Sequence, residues 1–453
     1  MDSEERLGRE GIWKLMFSMG IPTFIGHLVH LLYNIVDRIF IGHIEGTGAT
    51  ALTGVGLCFP IITLIIACSN FVGAGGAPLA AISLGKGERH TAEKILANGL
   101  TMLLFFSVTL TALFYIIKKP FLYAFGASDS TYPFSESYLN IYLLGTVFTM
   151  LSMGLIPFLN AQGKAKVTML SALLGAVINI ALDPIMIFAL HLGIRGAAYA
   201  TVFSQAVSAA IAFFYLVSDK ATLRIKAKLM APDFKIIGKI ASLGISPFIM
   251  SATESLITVV FNRGALLYGN DLYVGSITIL NSVCQMIFTP INGFTQGVQP
   301  IISYNYGAGK PDRVKTACLR LIAISFSASL IMATTAILLP GKIAGLFTNN
   351  QDLIAICIKV LPIYLAGMTV FGLQTGCQPS FMALGQAKNA LFFALFRKVI
   401  LLTPLALILP EVMGSVTGLY LAEPISDALS AILCITVFLK TLKRILDTEM
   451  KNE

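Results

Sequence analysis

The sequence predicts an all-α integral membrane protein whose 12 transmembrane helices form two pseudo-symmetric six-helix lobes. Three observations carry that prediction. The 453 residues are 56% apolar and only 12% charged, with a mean hydropathy of +0.80. Soluble domains sit near ~45–50% apolar and ~25% charged, and a soluble chain of this size has nowhere to hide the excess. Apolar runs long enough to cross a bilayer recur twelve times, and the first half of the chain reappears in the second. A soluble enzyme, a disordered chain and a collagen-like chain are excluded.

A crossing helix needs roughly 20 mostly apolar residues. Such runs, bounded by charge and by Gly/Pro clusters, lie near 12–41, 51–84, 95–117, 134–157, 165–190 and 196–217 in the first half. In the second half they lie near 236–267, 274–303, 314–339, 354–380, 388–409 and 415–439. Several exceed a minimal span, which predicts tilts or kinks. The organisation is therefore an N-terminal lobe over 1–218, a basic linker over 219–239 and a C-terminal lobe over 240–453. The acidic start lacks a basic n-region and a small-residue cleavage site, so no signal peptide is expected. The start (1–14) and the linker are each open to two readings, a membrane-surface segment or a solvated loop. Seven cysteines lie in or beside apolar runs without a C-x-x-C pair and read as buried free thiols.

Charge sets the orientation. The N-terminus, the even-numbered connections and the C-terminus hold 22 of the 32 Lys/Arg, against five in the odd-numbered connections (Lys118, Lys119, Arg195, Arg263, Lys342). By the positive-inside rule both termini are expected in the cytoplasm, the chain crossing the cell's inner (plasma) membrane many times. The net charge of +9 then serves topology, and no nucleic-acid partner is expected.

The halves correspond at an offset of 222 residues. Gly85 and Gly87 map onto Gly307 and Gly309, Leu139 and Ile141-Tyr142-Leu143 onto Leu361 and Ile363-Tyr364-Leu365, and Gly145 onto Gly367. Pro157 maps onto Pro379, Gly163 onto Gly385, and Gly196, Ala200, Ser204 and Ser208 onto Gly418, Ala422, Ser426 and Ser430. Near the start the offset slips to 224, pairing Gly20 with Gly244. One register held over that length is an internal repeat. Each repeat has six spans, so both enter the membrane the same way round. Their axis then lies along the membrane normal, a symmetry of secondary transporters that places substrate between the halves. No G-x-x-x-x-G-K-[ST], H-E-x-x-H or G-x-S-x-G occurs, so neither a nucleotide-driven pump nor a hydrolase is indicated, and no enzyme activity is expected.

Ionisable groups inside a span are costly and point to function by default. The first span carries His27, His30, Asn34 and Asp37 at helical spacing, flanked by Tyr33, and Pro22 should kink it. Asp37 has a second reading, pairing with Arg38 at the interface; each histidine is also satisfied by bonding a neighbour. In the fifth span Asn179 and Asp183 share a face, and Pro184 disfavours helix at Asp183, freeing carbonyls or leaving Asp183 as a mere cap. Thr201 and Gln205 share a face of the sixth. The second half departs: Leu401 and Leu405 replace Asn179 and Asp183, while Glu254, Arg397, Glu423 and Asp427 are new. Arg397 is expected to pair with Glu423 or Asp427, and Glu254 to face a cavity. The amides of the eighth span (Asn281, Gln285, Asn292, Gln296, Gln299), with Gln374 and Gln378, read as cavity lining or as interhelical glue.

Taken together, the duplicated twelve-span layout, Pro22 and Asp37, Asn179 with Asp183, the glycine loops after spans two and eight, and the GKAK and GQAK connections (163–166, 385–388) resemble the MATE family of multidrug and toxic-compound extrusion transporters. The resemblance covers essentially the whole chain and is strongest to the bacterial branch with coupling carboxylates in the N-terminal lobe. It implies cation-coupled efflux of bulky, mostly cationic drugs by a V-shaped pair of lobes in the lipid bilayer, the chain acting as a monomer. It implies no cofactor beyond the coupling ion, H+ or Na+. Asp37, Asn179, Asp183 and Thr201 match the family's N-lobe proton or cation site and would hold Na+ if sodium is the ion. Pro22 matches the proline at which the first helix bends. Tyr33, with His30, Asn34, Glu254 and Gln285, is expected to line the substrate cavity. Glu254 occupies an acidic position of another branch, but its usual tenth-span aspartate partner is missing.

Rival readings are a flippase or exporter of a lipid-linked or other amphiphilic metabolite, a membrane transferase and a channel. A flippase calls for a basic cavity where this inventory is acidic, and a transferase for a D-D-x-x-D motif that is absent. Duplicated lobes with asymmetric carboxylates make a channel the weakest.

Overall fold

A computed structural model describes residues 3–449, and among them it holds helices and connections but no strand. A short helix, Ser3–Arg9, precedes the spans. The N-terminal lobe is α1 (Ile12–Gly42), α2 (Gly48–Gly85), α3 (Arg89–Ala124), α4 (Tyr132–Leu144 with Thr146–Ala161), α5 (Ala165–Pro184 with Ile185–Ala189) and α6 (Ile194–Val217). The C-terminal lobe is α7 (Phe234–Tyr268), α8 (Asp271–Gly307), α9 (Pro311–Leu338), α10 (Gln351–Leu365 with Met368–Ala383), α11 (Ala387–Leu395, Phe396–Leu402 and Thr403–Met413) and α12 (Thr417–Glu449). Ten are long and apolar enough to cross a bilayer as single helices, and the two bent pairs, α4 and α10, complete twelve.

The repeat is visible in backbone detail. The bends, 57° in α4 and 46° in α10, fall at Gly145 and Gly367, which are repeat mates. A Cβ on Gly145 would lie 2.4 Å from Val202 of α6, and one on Gly367 would lie 2.5 Å from Pro424 of α12. Val202 and Pro424 are themselves repeat mates, so each bend leans on the same place of the same neighbour. The connections after α2, α8, α4 and α10 turn through left-handed glycines at mated positions: Gly87 (φ 78°) and Gly309 (62°), Gly163 (74°) and Gly385 (68°).

The lobes join along α1 against α8 and α2 against α7, with α2 and α8 meeting between them. The joint is backbone-tight. A Cβ on Gly85 would fall 2.0 Å from the Tyr304 carbonyl oxygen, and one on Gly307 would fall 2.0 Å from that of Ile82. Ile82 and Tyr304 are also mates, so the pseudo-twofold axis passes between them. This seam lies at the end of the bundle that carries the glycine loops after α2 and α8.

Two segments read from sequence as open are docked there. The N-terminal stretch crosses onto the other lobe: Asn305 Nδ2 donates to the Leu7 carbonyl (2.9 Å), Lys310 Nζ to Gly8 (2.8 Å) and Arg313 Nη2 to Glu10 (2.7 Å). Leu7, Ile12, Leu15 and Met16 are buried in one core with Ile301, Val314 and Phe381. The linker straps onto α3 and α4: Lys226 pairs with Glu93 (2.5 Å), the Leu223 N–H donates to Gln162 Oε1 (2.9 Å), and Thr101 donates to the Met230 carbonyl (2.8 Å). Asp233 caps α7 by accepting from the Lys235 and Ile236 N–H groups, and Lys94 Nζ lies 2.7 Å from it. The Lys94 ammonium and then these N–H groups hold the Asp233 carboxyl below the ordinary carboxylate range.

Proline behaves differently from expectation in α5. Asp183 stays helical, and the missing N–H of Pro184 is absorbed by a wide π-type turn over Ile185–Ala189. α1 runs from Ile12 to Gly42 with Pro22 inside it. All seven cysteines are free, and all but Cys284 are buried.

Candidate functional site

Packing of α1 on α5 and of α5 on α6 brings together Asp37, Asn179, Asp183 and Thr201, all buried. Asn179 and Asp183 are one turn apart on α5, and Asn179 Nδ2 approaches Asp183 Oδ1 at 3.5 Å. The Asp37 and Asp183 carboxyls lie within hydrogen-bonding reach of each other. Asp37 Oδ1, Asn179 Oδ1 and Asp183 Oδ2 are buried without a partner. Three orphaned oxygens around two carboxyls form a set that a proton or a cation of oxygen preference would complete. The alternative readings of both acids lose ground here. Arg38 stacks over the Phe59 ring, 4.6 Å from its centroid, and Asp183 is no cap.

The remaining first-span polar residues are partnered, three of them within α1 and His27 across the lobes. His30 Nε2 and Tyr33 Oη share a hydrogen bond (3.2 Å), Asn34 donates to the His30 carbonyl (2.7 Å), and His27 meets Gln296 across the lobes (3.1 Å). Two tyrosines that sequence reasoning used only as repeat markers or passed over complete this wall. Tyr138 and Tyr142 of α4 are buried and stacked (centroids 6.0 Å apart), Tyr138 within bonding reach of Thr201. Their four-residue spacing, which puts both rings on one helical face, was the available signal.

A cavity of about 400 Å³ lies between the lobes, lined chiefly by α2, α7, α8 and α10. Glu254 and Gln285 line it, together with Gln296, Gln299 and Gln378. Tyr33, His30 and Asn34 are not among its lining residues; Tyr33 and Asn34 lie within about a turn of Asp37 on α1, and His30 bonds both of them. Behind the cavity, Arg397 holds both of its expected partners, with Nε 2.6 Å from Asp427 Oδ1 and Nη2 2.7 Å from Glu423 Oε1. Lys398, to which the sequence assigned no role, bonds Glu254 and the Met250 carbonyl. The expectation of an acidic interior needs correcting at this wall. Its charged lining residues are one acid, Glu254, and two bases, Arg397 and Lys398.

Comparison with known proteins matches this architecture. The MatE family model matches twice, over residues 22–185 and 247–408, once in each repeat. The chain belongs to the MatE family. The MatE match leaves out the N-terminal stretch and the linker, the two docked segments. Curated relatives include proteins named multidrug export protein MepA. That of Staphylococcus haemolyticus is 26% identical over 431 residues, covering 94% of this chain and 93% of its own. That of Staphylococcus aureus is 25% identical over 426 residues, covering 93% and 92%. Among solved structures, a MATE protein in a bent conformation superposes with a TM-score of 0.92 at 23% identity, over 99% of both chains. An outward-facing MATE transporter gives 0.90 at 23% identity, over 97% and 98%. At that identity the structures bear on the MatE fold alone.

Proposed function

We propose that this chain is a cation-coupled antiporter that exports bulky, mostly cationic organic compounds across the plasma membrane by alternating access, as a monomer with both termini in the cytoplasm. The relatives named multidrug export proteins support export. The observation that carries coupling is the buried Asp37–Asp183 pair with its three orphaned oxygens. Two carboxylates within bonding reach in a low-dielectric interior repel, and one bound H+ or Na+ relieves the repulsion. Asn179 and Thr201 supply further oxygens to Na+, whereas a proton needs only the two acids. The seam closes the end with the basic loops, which under the positive-inside rule is the cytoplasmic end, so this state faces outward. A cation entering the N-lobe site drives the cycle only by binding one state more tightly than the other. α1 is the candidate moving part: it carries Asp37, it touches α8 across the seam, and Pro22 removes one of its helical bonds.

The test is uptake of a fluorescent organic cation into proteoliposomes under separately imposed proton and sodium gradients, with Asp183→Asn alongside. Uptake driven by one gradient and lost in the variant is the expected result. Gradient-driven uptake retained in the variant overturns the coupling assignment.

A further inference from the structure

The cavity wall holds a charge arrangement that the coupling site does not use. Glu254 on α7 presents a side chain that is 65% exposed, whereas Lys398 on α11, bonded to it, is only 4% exposed. Apart from Glu254, Lys398 has the Met250 carbonyl. The neighbouring cation cannot substitute, because Arg397 is committed to Glu423 and Asp427 and stacks on Phe371, 4.2 Å from the ring centroid. A molecule entering the cavity therefore meets one carboxylate and one ammonium already joined across two helices, set among amides.

We propose that Glu254 and Lys398 form a specificity-determining exchange pair that favours organic cations which also carry a carboxylate, zwitterions, over simple cations or anions; this rests on the export reading above and narrows its substrate class. A monocation reaches Glu254 only by taking it from Lys398, and so strands a buried ammonium. Leaving one partner of a buried pair uncompensated is the expensive outcome. A monoanion reaches Lys398 only by displacing Glu254, so one carboxylate replaces another on the ammonium and no charge pair is gained. A molecule with both an ammonium and a carboxylate takes both partners at once and strands neither. Lys398 thus fills, in the resting cavity, the place of the substrate's cation.

A matched series with one dansyl group tests this: dansylcadaverine (cation), Nε-dansyl-lysine (zwitterion) and Nα-acetyl-Nε-dansyl-lysine (anion). Binding to the purified full-length protein is read by dansyl fluorescence, and uptake is read in proteoliposomes. Wild type should favour the zwitterion. Lys398→Met should move the cation-to-zwitterion ratio toward the cation by about tenfold, and Glu254→Gln should move preference toward the anion by a similar factor. A purely structural role would lower all three probes in parallel. Should Glu254→Gln, which strands the buried ammonium, not fold, Lys398→Met carries the test alone, since it leaves only the exposed Glu254 without its partner. The same probe ranking in wild type and variants, alongside intact gradient-driven cation uptake, overturns the proposal alone. Gradient-driven uptake of no probe, the cation included, overturns the export reading and the proposal with it.

Discussion

At the residue scale, the two lobes treat buried carboxylates in opposite ways. Glu423 and Asp427 are the repeat mates of Thr201 and Gln205, and a guanidinium fixed in the chain bonds one oxygen of each. Asp37 and Asp183 are bonded to no such resident cation; Glu423 Oε2 and Asp427 Oδ2 are orphaned as well, so it is the missing cation that sets the N-lobe pair apart. Removing charge in the N-lobe should therefore cost function and not stability. Asp37→Asn should reduce gradient-driven uptake to the leak level, while its thermal unfolding in detergent stays at or above that of wild type. Removing the C-lobe guanidinium should do the reverse. Arg397→Met leaves two buried acids uncompensated and should cost about 3–5 kcal/mol in unfolding free energy, recovered largely when Glu423→Gln and Asp427→Asn are added. Chemical denaturation of the single and triple variants compares these directly.

At the element scale, the seam and the strap are the parts with clear consequences. Gly85 and Gly307 admit no Cβ without moving a backbone carbonyl. Gly307→Ala should part α2 from α8 and open the cavity toward the basic end. A cysteine placed at Ser303, which lines the cavity, should then react with a reagent added from that side at least about tenfold faster, as expected if the closed state loses ~1.4 kcal/mol or more. The cap of α7 makes a pH prediction. Asp233 has a lowered pKa in the folded protein, so its stabilisation is complete above the ordinary carboxylate range. It is lost as pH falls through that lowered value. Hydrogen exchange at the Lys235 and Ile236 amides, corrected for its intrinsic rate, should lose protection at acid pH in wild type. Asp233→Asn should show no such transition.

At the scale of the whole molecule, the N-terminal stretch links the lobes. It precedes α1 in one lobe, yet it is bonded to Asn305, Lys310 and Arg313 of the other and buried in that lobe's core. On the alternating-access cycle proposed above the seam must part, and these bonds tie its two sides together. Deleting residues 1–10 should therefore lower the population of the closed-seam state, read as a gain in Ser303Cys labelling from the basic side. An unchanged labelling rate would mean that the seam holds without the stretch.

The sequence by itself determined the spans, their number, the duplication and the pair of N-lobe acids. Those depend on local quantities: a run of apolar residues must be long enough to cross hydrocarbon, and a repeat keeps its register whatever it packs against. Gly145 and Gly367 were legible as mates, though not as bends, because a bend needs the neighbour it leans on. Tertiary structure alone decided which face of α1 meets α5, and so set Asp37 against Asp183. It also decided that Lys398 reaches Glu254, 144 residues away in sequence. A charge in a span shows that a partner is needed, because burial without one is too costly, but only the packing of helices chooses which partner arrives.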